Sequence, residues 1–255
     1  MVTADFPLER VHAVALASAA VWAGVCAAAH FITLRLWPGY LRLAGNERLA
    51  WCNRIASALH AAVLVCAQAR TLRDPILLAD PLFAVSEAHF FWGSVMYGYL
   101  LYDTAFTLAF YSAVGSPSFL LHHGLGLASC VLGLYGNRMA LFGAAIQVFF
   151  EGTTPLLHAL GCLRAMHLGH TRLFLAAGMA FALQFFICRV LVGSYYGVAL
   201  LRVVLALEDA AAWAWGGVAV YATLCMLNMV WFVKLVRMLS RKLRGRQQGS
   251  LLKGV

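Results

Sequence analysis

Apolar and polar residues along this chain come in blocks. Seven apolar blocks, at positions 11–34, 50–69, 88–113, 118–135, 139–162, 172–193 and 211–236, alternate with short polar connections. A bilayer core of ~30 Å takes about 20 apolar residues in helical form, so each block can cross it. The connections carry helix-stopping residues: Trp37-Pro38-Gly39, Asp74-Pro75, Asp80-Pro81, Gly115-Ser116-Pro117 and Gly136-Asn137. No internal repeat or low-complexity segment stands out, and no connection is long enough to fold by itself. The pattern predicts an all-α, polytopic transmembrane bundle of about seven spans.

Composition narrows the function classes. Of 255 residues, 63% are hydrophobic and 11% charged, with a mean hydropathy of +0.80. Soluble domains average about 45–50% apolar and about 25% charged residues. A soluble enzyme, a disordered regulator and a secreted disulfide module are excluded. Cys26, Cys52, Cys66, Cys130, Cys162, Cys188 and Cys225 are scattered singly, without a CxxC. They read as small buried hydrophobes rather than a disulfide framework or zinc site. The chain has no Gly-rich phosphate loop, GxSxG or HExxH, so no metal or cofactor is expected.

The net charge of +9 follows topology and does not point to nucleic acid. Seven spans put the termini on opposite faces. The C-terminal face carries Arg35, Arg42, Arg48, Arg164, Arg172, Arg237, Arg241, Lys242, Arg244, Arg246 and Lys253. The other face carries Arg10, Arg70, Arg73, Arg138 and Arg202. The positive-inside rule then places the C-terminus in the cytoplasm. The tail SRKLRGRQQGSLLKGV reads as a topology anchor, with binding to anionic lipid as the sharper alternative. Acids before the first block, in MVTADFPLER, argue against a cleaved signal peptide, so the first span is expected to be retained.

Ionisable residues at membrane depth are costly and usually face a bundle interior. Arg54 and His60 lie in the second block, Asp103 in the third, and the pair His122-His123 in the fourth. Glu151 and His158 follow in the fifth, Arg189 in the sixth and Asn228 in the seventh. The first block offers no acid. Six helices around a polar interior, with the first outside, is the packing this predicts. Arg54, His122, His123, His158 and Asn228 fall nearer the C-terminal face, Asp103 and Glu151 nearer the middle, and Arg189 towards the opposite face. That order describes a funnel open on the C-terminal side. The plainer alternative is a set of interhelical hydrogen bonds, each worth about 0.6 kcal/mol.

Adjacent helical residues point ~100° apart, so His122 and His123 cannot address one metal together. One can face the cavity while the other orients it or bonds a neighbouring helix. Imidazole suits proton transfer near neutral pH, which makes His122, His123 and Asp103 the catalytic candidates if chemistry occurs. In FFEGTTPLLH, Pro155 predicts a kink, and Glu151 and His158, seven apart, share a face.

These segments together resemble the TLC domain shared by ceramide synthases, translocation-associated membrane proteins and a group of lipid-homeostasis proteins. NRIASALHA from Asn53, GYLLYD ending at Asp103, LLHHGLGL, EGTTPLLH from Glu151, FFICRVL around Arg189 and LNMVWFVKLVR from Asn228 carry the resemblance. It runs from Glu47 to Arg237. It divides the chain into a first, peripheral span (1–46), a six-helix membrane domain (47–238) and a basic tail (239–255). It implies six helices ringed around a cavity for lipid acyl chains. Ceramide synthases add a downstream His-Asp motif, where this chain has Glu151 and Thr153-Thr154-Pro155. In that respect the chain resembles the non-synthase members.

Three readings follow. The first is a protein that binds or regulates membrane lipids through Arg54, His60, Asp103, His122, His123, Glu151, His158, Arg189 and Asn228. The second is an acyltransferase taking acyl-coenzyme A as substrate, with His122 or His123 as base. The third is a structural subunit of a larger membrane complex. Membrane lipids are the expected partners, other membrane-protein subunits are an open alternative, and nucleic acid is excluded. The resemblance implies the endoplasmic reticulum, with a mitochondrial membrane left open.

Overall fold

The computed structural model describes residues 7–136 and 138–251, with side chains as far as Arg244. Asp5, Asn137, Lys253 and the side chain of Arg246, all used above, lie outside them. Seven long helices form: α1 (Leu8–Leu36), α2 (Gly45–Thr71), α3 (Glu87–Ala109), α4 (Pro117–Tyr135), α5 (Ala140–Ala165), α6 (Arg172–Leu205) and α7 (Ala212–Leu251). No strand occurs among the described residues.

Local chemistry sets several helix starts. Ser86, Ser116 and Thr171 side-chain oxygens accept the backbone N–H groups of His89, Phe119 and Phe174. Pro117 follows Ser116 at the first turn of α4, where a missing N–H costs nothing. Glu47 reaches back to the Ala44 N–H at the start of α2.

Six of these helices are long and apolar enough to cross a membrane; α3, with Trp92, Tyr97, Tyr99 and Tyr102, falls outside that measure by hydropathy. Its register places it at the depth of α1. Arg10 pairs with Glu87, Ser18 Oγ donates to the Val95 carbonyl (2.7 Å), and Trp22 meets Tyr99 edge-on. Each pair is 77 residues apart, as in Ser18 and Val95 (likewise 87 − 10 and 99 − 22). A constant positive offset means that α3 runs parallel to α1 at the same depth, with α2 returning between them. The structure therefore accommodates about seven spans.

The helices α2 to α7 pack in a ring, in the order α2, α3, α4, α7, α6, α5 and back to α2, with a lesser contact from α3 to α5 across it, while α1 lies outside against α3 and α2. The outside helix is tightly docked. A Cβ on Gly98 would overlap the Ala15 carbonyl oxygen, so α1 and α3 meet backbone to backbone. Small residues permit such approach where lipid removes any hydrophobic drive. On the far side of the ring Gln68 donates to Gln147 (2.6 Å), tying α2 to α5.

Several boundaries differ from the sequence expectation. The sixth block was expected to stop at 193, yet α6 continues to Leu205 as a 34-residue element. At about 1.5 Å per residue it is near 51 Å long, well beyond a bilayer core. It relaxes into a π-helical stretch at Phe186–Val192, and Gly193 continues it in helical conformation. The fifth block is two helical pieces, Ala140–Glu151 and Thr154–Ala165. The helical backbone of α7 runs unbroken across position 238. Cys26, Cys52 and Cys130 are buried as expected, but Cys66 is exposed on the outer face of α2.

Candidate functional site

The ring encloses a cavity of about 670 Å³ that reaches the C-terminal face. Its deep end holds Asp103, Glu151 and Arg189, its middle His122, His123 and His158, and its mouth Ser116, Lys234 and Arg241. Much of the remaining wall is apolar, including Leu157, Phe181, Phe185 and Trp231.

Asp103 anchors one side. Asn53 Nδ2 donates to its Oδ1 (2.7 Å), and His123 Nε2 lies 3.3 Å from its Oδ2. The Tyr99 hydroxyl sits 3.2 Å from the same Oδ2 and 2.9 Å from Ser57 Oγ. With one proton, Tyr99 can donate to the carboxylate while accepting from Ser57. Tyr102 in turn donates to Asn53 Oδ1 (3.0 Å). His123 Nδ1 lies 3.2 Å from Thr104 Oγ1. One neutral tautomer satisfies both contacts, with Nε2–H donating to Asp103 and Nδ1 accepting from Thr104. Both ring nitrogens of His123 are therefore engaged by protein.

His122 differs. Its ring packs 5.4 Å from that of Trp231 on α7, and its Nδ1 is buried without a partner. The separation of the two neighbours follows from the helical turn: His123 looks at α3 and His122 at α7.

Arg189 anchors the other side. Its Nε donates to Thr153 Oγ1 (2.7 Å), one terminal nitrogen to Asn228 Oδ1 (3.2 Å) and the other to the Phe150 carbonyl. The break in α5 supplies these acceptors. Thr153 Oγ1 also donates to the Phe150 carbonyl (3.0 Å), and Gln184 Nε2 to the Gly152 carbonyl (2.9 Å). Pro155 cannot donate to the Glu151 carbonyl, and at the break that follows the Phe150 and Gly152 carbonyls take side-chain donors. The guanidinium also lies 5.5 Å and 5.3 Å from the rings of Phe150 and Phe185. The π-helical stretch of α6 carries Arg189 inside.

Six of the nine residues singled out from sequence line this cavity: Asp103, His122, His123, Glu151, His158 and Arg189. Three do not. His60 stands behind the wall, stacked 3.6 Å on Tyr99 and capped edge-on by Trp22. It is polar, but the aromatic sandwich between α1 and α3 is where its face of α2 points. Asn228 is buried and serves Arg189. Arg54 lines a neighbouring cavity with His158. Arg189, expected towards the opposite face, joins Glu151 at the deep end. Tyr99, Asn53 and Thr104 were not singled out as site residues. Tyr99 was findable, because it precedes Asp103 by four and so shares its helical face. Among the described residues no metal-ligating cluster of His, Cys, Asp or Glu occurs.

This fold and cavity are those of a polytopic helical membrane protein with a polar, ringed interior. The TLC domain family matches residues 50–237, and the chain belongs to that family. It is 25% identical to TLC domain-containing protein 4-B of Xenopus laevis over 222 residues, 81% of this chain and 80% of that protein. Against TLC domain-containing protein 4-B of Danio rerio the identity is 25% over 228 residues, 83% of each. TLC domain-containing protein 4 of Homo sapiens is 22% identical over 163 residues, 63% of this chain and 62% of that protein.

Proposed function

We propose that this protein binds a membrane lipid, with an acyl chain seated in the ring cavity, and acts on lipid composition by holding that lipid. The observation that carries this reading is the cavity itself: about 670 Å³, largely apolar in wall and open towards one face. Ligand pockets typically run from about 300 to 1,000 Å³. The polar floor fits the same role. Asp103 and Arg189 have their hydrogen-bonding groups taken by protein neighbours, so they shape the cavity rather than await a reactant. The positive-inside count supports a cytoplasmic mouth, and the family resemblance supports the endoplasmic reticulum as the membrane.

A second reading has one observation in its favour. His122 lines the cavity with Nδ1 unpartnered, as a general base in an acyl transfer from acyl-coenzyme A would need. His123, held at both nitrogens, is then the positioning residue and His122 the catalytic one.

One preparation tests both. The full-length protein, purified in mild detergent, is extracted and its retained lipid identified by mass spectrometry. Wild type should hold acyl lipid, and Leu157→Trp, which fills the wall, should hold less. Equal retention in both, or none in either, would defeat the binding reading. The same protein is given oleoyl-coenzyme A with a sphingoid base or a lysolipid. A product lost in His122→Ala would establish the acyltransferase instead.

A further inference from the structure

A second cavity, of about 430 Å³, adjoins the first on the C-terminal face and shares Leu157, His158 and Phe181 with it. Its chemistry is different. Arg54 enters from α2, Arg164 from the end of α5 and Lys242 from α7, and its described lining contains no carboxylate. Arg164 and Lys242 converge on one ring: the guanidinium carbon lies 5.9 Å, and the ammonium 4.0 Å, from the centre of Phe174. Lys242 also donates to the Gly169 carbonyl, which fixes its direction. Arg54 is held close against α5, since a Cβ on Gly161 would lie 2.6 Å from its Nε. Glu47, two turns before Arg54 on the same helix, sits outside the lining and accepts the Ala44 N–H.

Three cations from three helices repel one another, and the partial burial of Arg54 and Lys242 weakens the screening that would relieve them. They are nevertheless gathered at one end of a chain-sized cavity. An anion placed among them removes the repulsion and meets two guanidinium groups, whose fork geometry suits phosphate oxygens. We propose that this second cavity is a phosphate site, holding the phosphate ester of an amphiphile whose acyl chain lies in the ring cavity. The inference rests on the lipid-binding reading and adds the chemistry of the headgroup. A phosphate ester can come from a phospholipid headgroup or from an acyl-coenzyme A, and the two are separable by experiment.

The full-length protein in detergent is offered dioleoyl phosphatidic acid, phosphate-free dioleoylglycerol and oleoyl-coenzyme A, and bound ligand is counted by native mass spectrometry. Charge-assisted hydrogen bonds of this kind support a preference of about tenfold or more for phosphatidic acid over dioleoylglycerol. Arg54→Gln and Arg164→Gln should each bring the two towards parity while dioleoylglycerol retention is unchanged. Arg237→Gln, outside both cavities, should leave the preference intact. Arg164 is exposed, so its variant decides the matter should Arg54→Gln fail to fold. Oleoyl-coenzyme A displacing phosphatidic acid would assign the phosphate to the thioester, and the reverse would assign it to a lipid. Wild type that holds lipid without headgroup preference, or variants that keep the preference, would overturn the phosphate site alone. Retention of no lipid at all would overturn it together with the lipid-binding reading.

Discussion

His123 Nε2 lies 3.3 Å from Asp103 Oδ2 with both side chains almost fully buried, and Thr104 takes the other imidazole nitrogen. The pair joins α3 to α4, while Asn53 extends it to α2. Removing a buried partner leaves the other unsatisfied, at about 1–3 kcal/mol. His123→Ala should therefore lower the melting midpoint in detergent clearly, and His122→Ala, whose Nδ1 has no partner to strand, much less. Equal shifts would mean that the two histidines do not divide the work as described.

Asp103→Asn refines this. An amide keeps one acceptor oxygen but turns an NH2 towards one of the three groups now aimed at the carboxylate. A loss of about 1–3 kcal/mol is expected, measurable by chemical denaturation in micelles. A neutral result would show that the network can reverse its donors at no cost.

Arg189 should be the least replaceable cavity residue. Arg189→Leu takes the donor from Asn228 Oδ1, one of two donors from the Phe150 carbonyl and the donor to Thr153 Oγ1, all at a helix break. Breaking a buried charged network typically costs about 3–5 kcal/mol, so this variant should yield little folded protein in fluorescence-detected size exclusion. Arg189→Lys, with one nitrogen for three acceptors, should fall between. By contrast, a double-mutant cycle on Gln68 and Gln147 should return a coupling of only about 0.6 kcal/mol.

Gly98→Val tests the docking of α1. The new side chain meets the Ala15 backbone, which cannot step aside as a flexible side chain would. Overpacking of this kind costs about 1–3 kcal/mol or more. Limited proteolysis should release α1 from the variant while sparing the ring. Gly24→Ala, with open space around its Cβ, is the matched control and should behave as wild type.

Orientation can be checked separately. Single cysteines at Gly45, His170 and Arg244, after native thiols are blocked, should all react with an impermeant maleimide from one side of the membrane. That side should be the cytoplasmic one. Reaction of one from the opposite side would mean a miscounted span.

Much of the architecture was legible because membrane insertion enforces a simple code. Apolar block length gave seven spans, and the one-sided placement of Asp103, His122, Glu151 and Arg189 gave the ring with α1 outside. Pro155 announced the break in α5. Local sequence could not show what depends on distant partners. That His60 would sit behind Tyr99 rather than in the cavity depends on Trp22, from a helix expected to contribute little. The π-helical stretch at Phe186–Val192 has no composition marker, and it is what carries Arg189 to Thr153 and Asn228. Arg54 was expected in the same cavity as the histidines, and its place in a separate cavity depends on the end of α7.

The parallel contact of α1 with α3 also sets a clock. The carbonyl of Ala15 touches Gly98, and Ser18 bonds Val95 across 77 residues of chain. At synthesis rates of about 5–20 residues per second, that interval is roughly 4–15 s. During it the first helix has emerged and its main dock has not. A nascent chain therefore holds α1 with only α2 beside it, or against whatever guards the insertion site, for seconds before its main seat exists. Slowing translation between α2 and α3 lengthens that wait and delays every ring helix except α2.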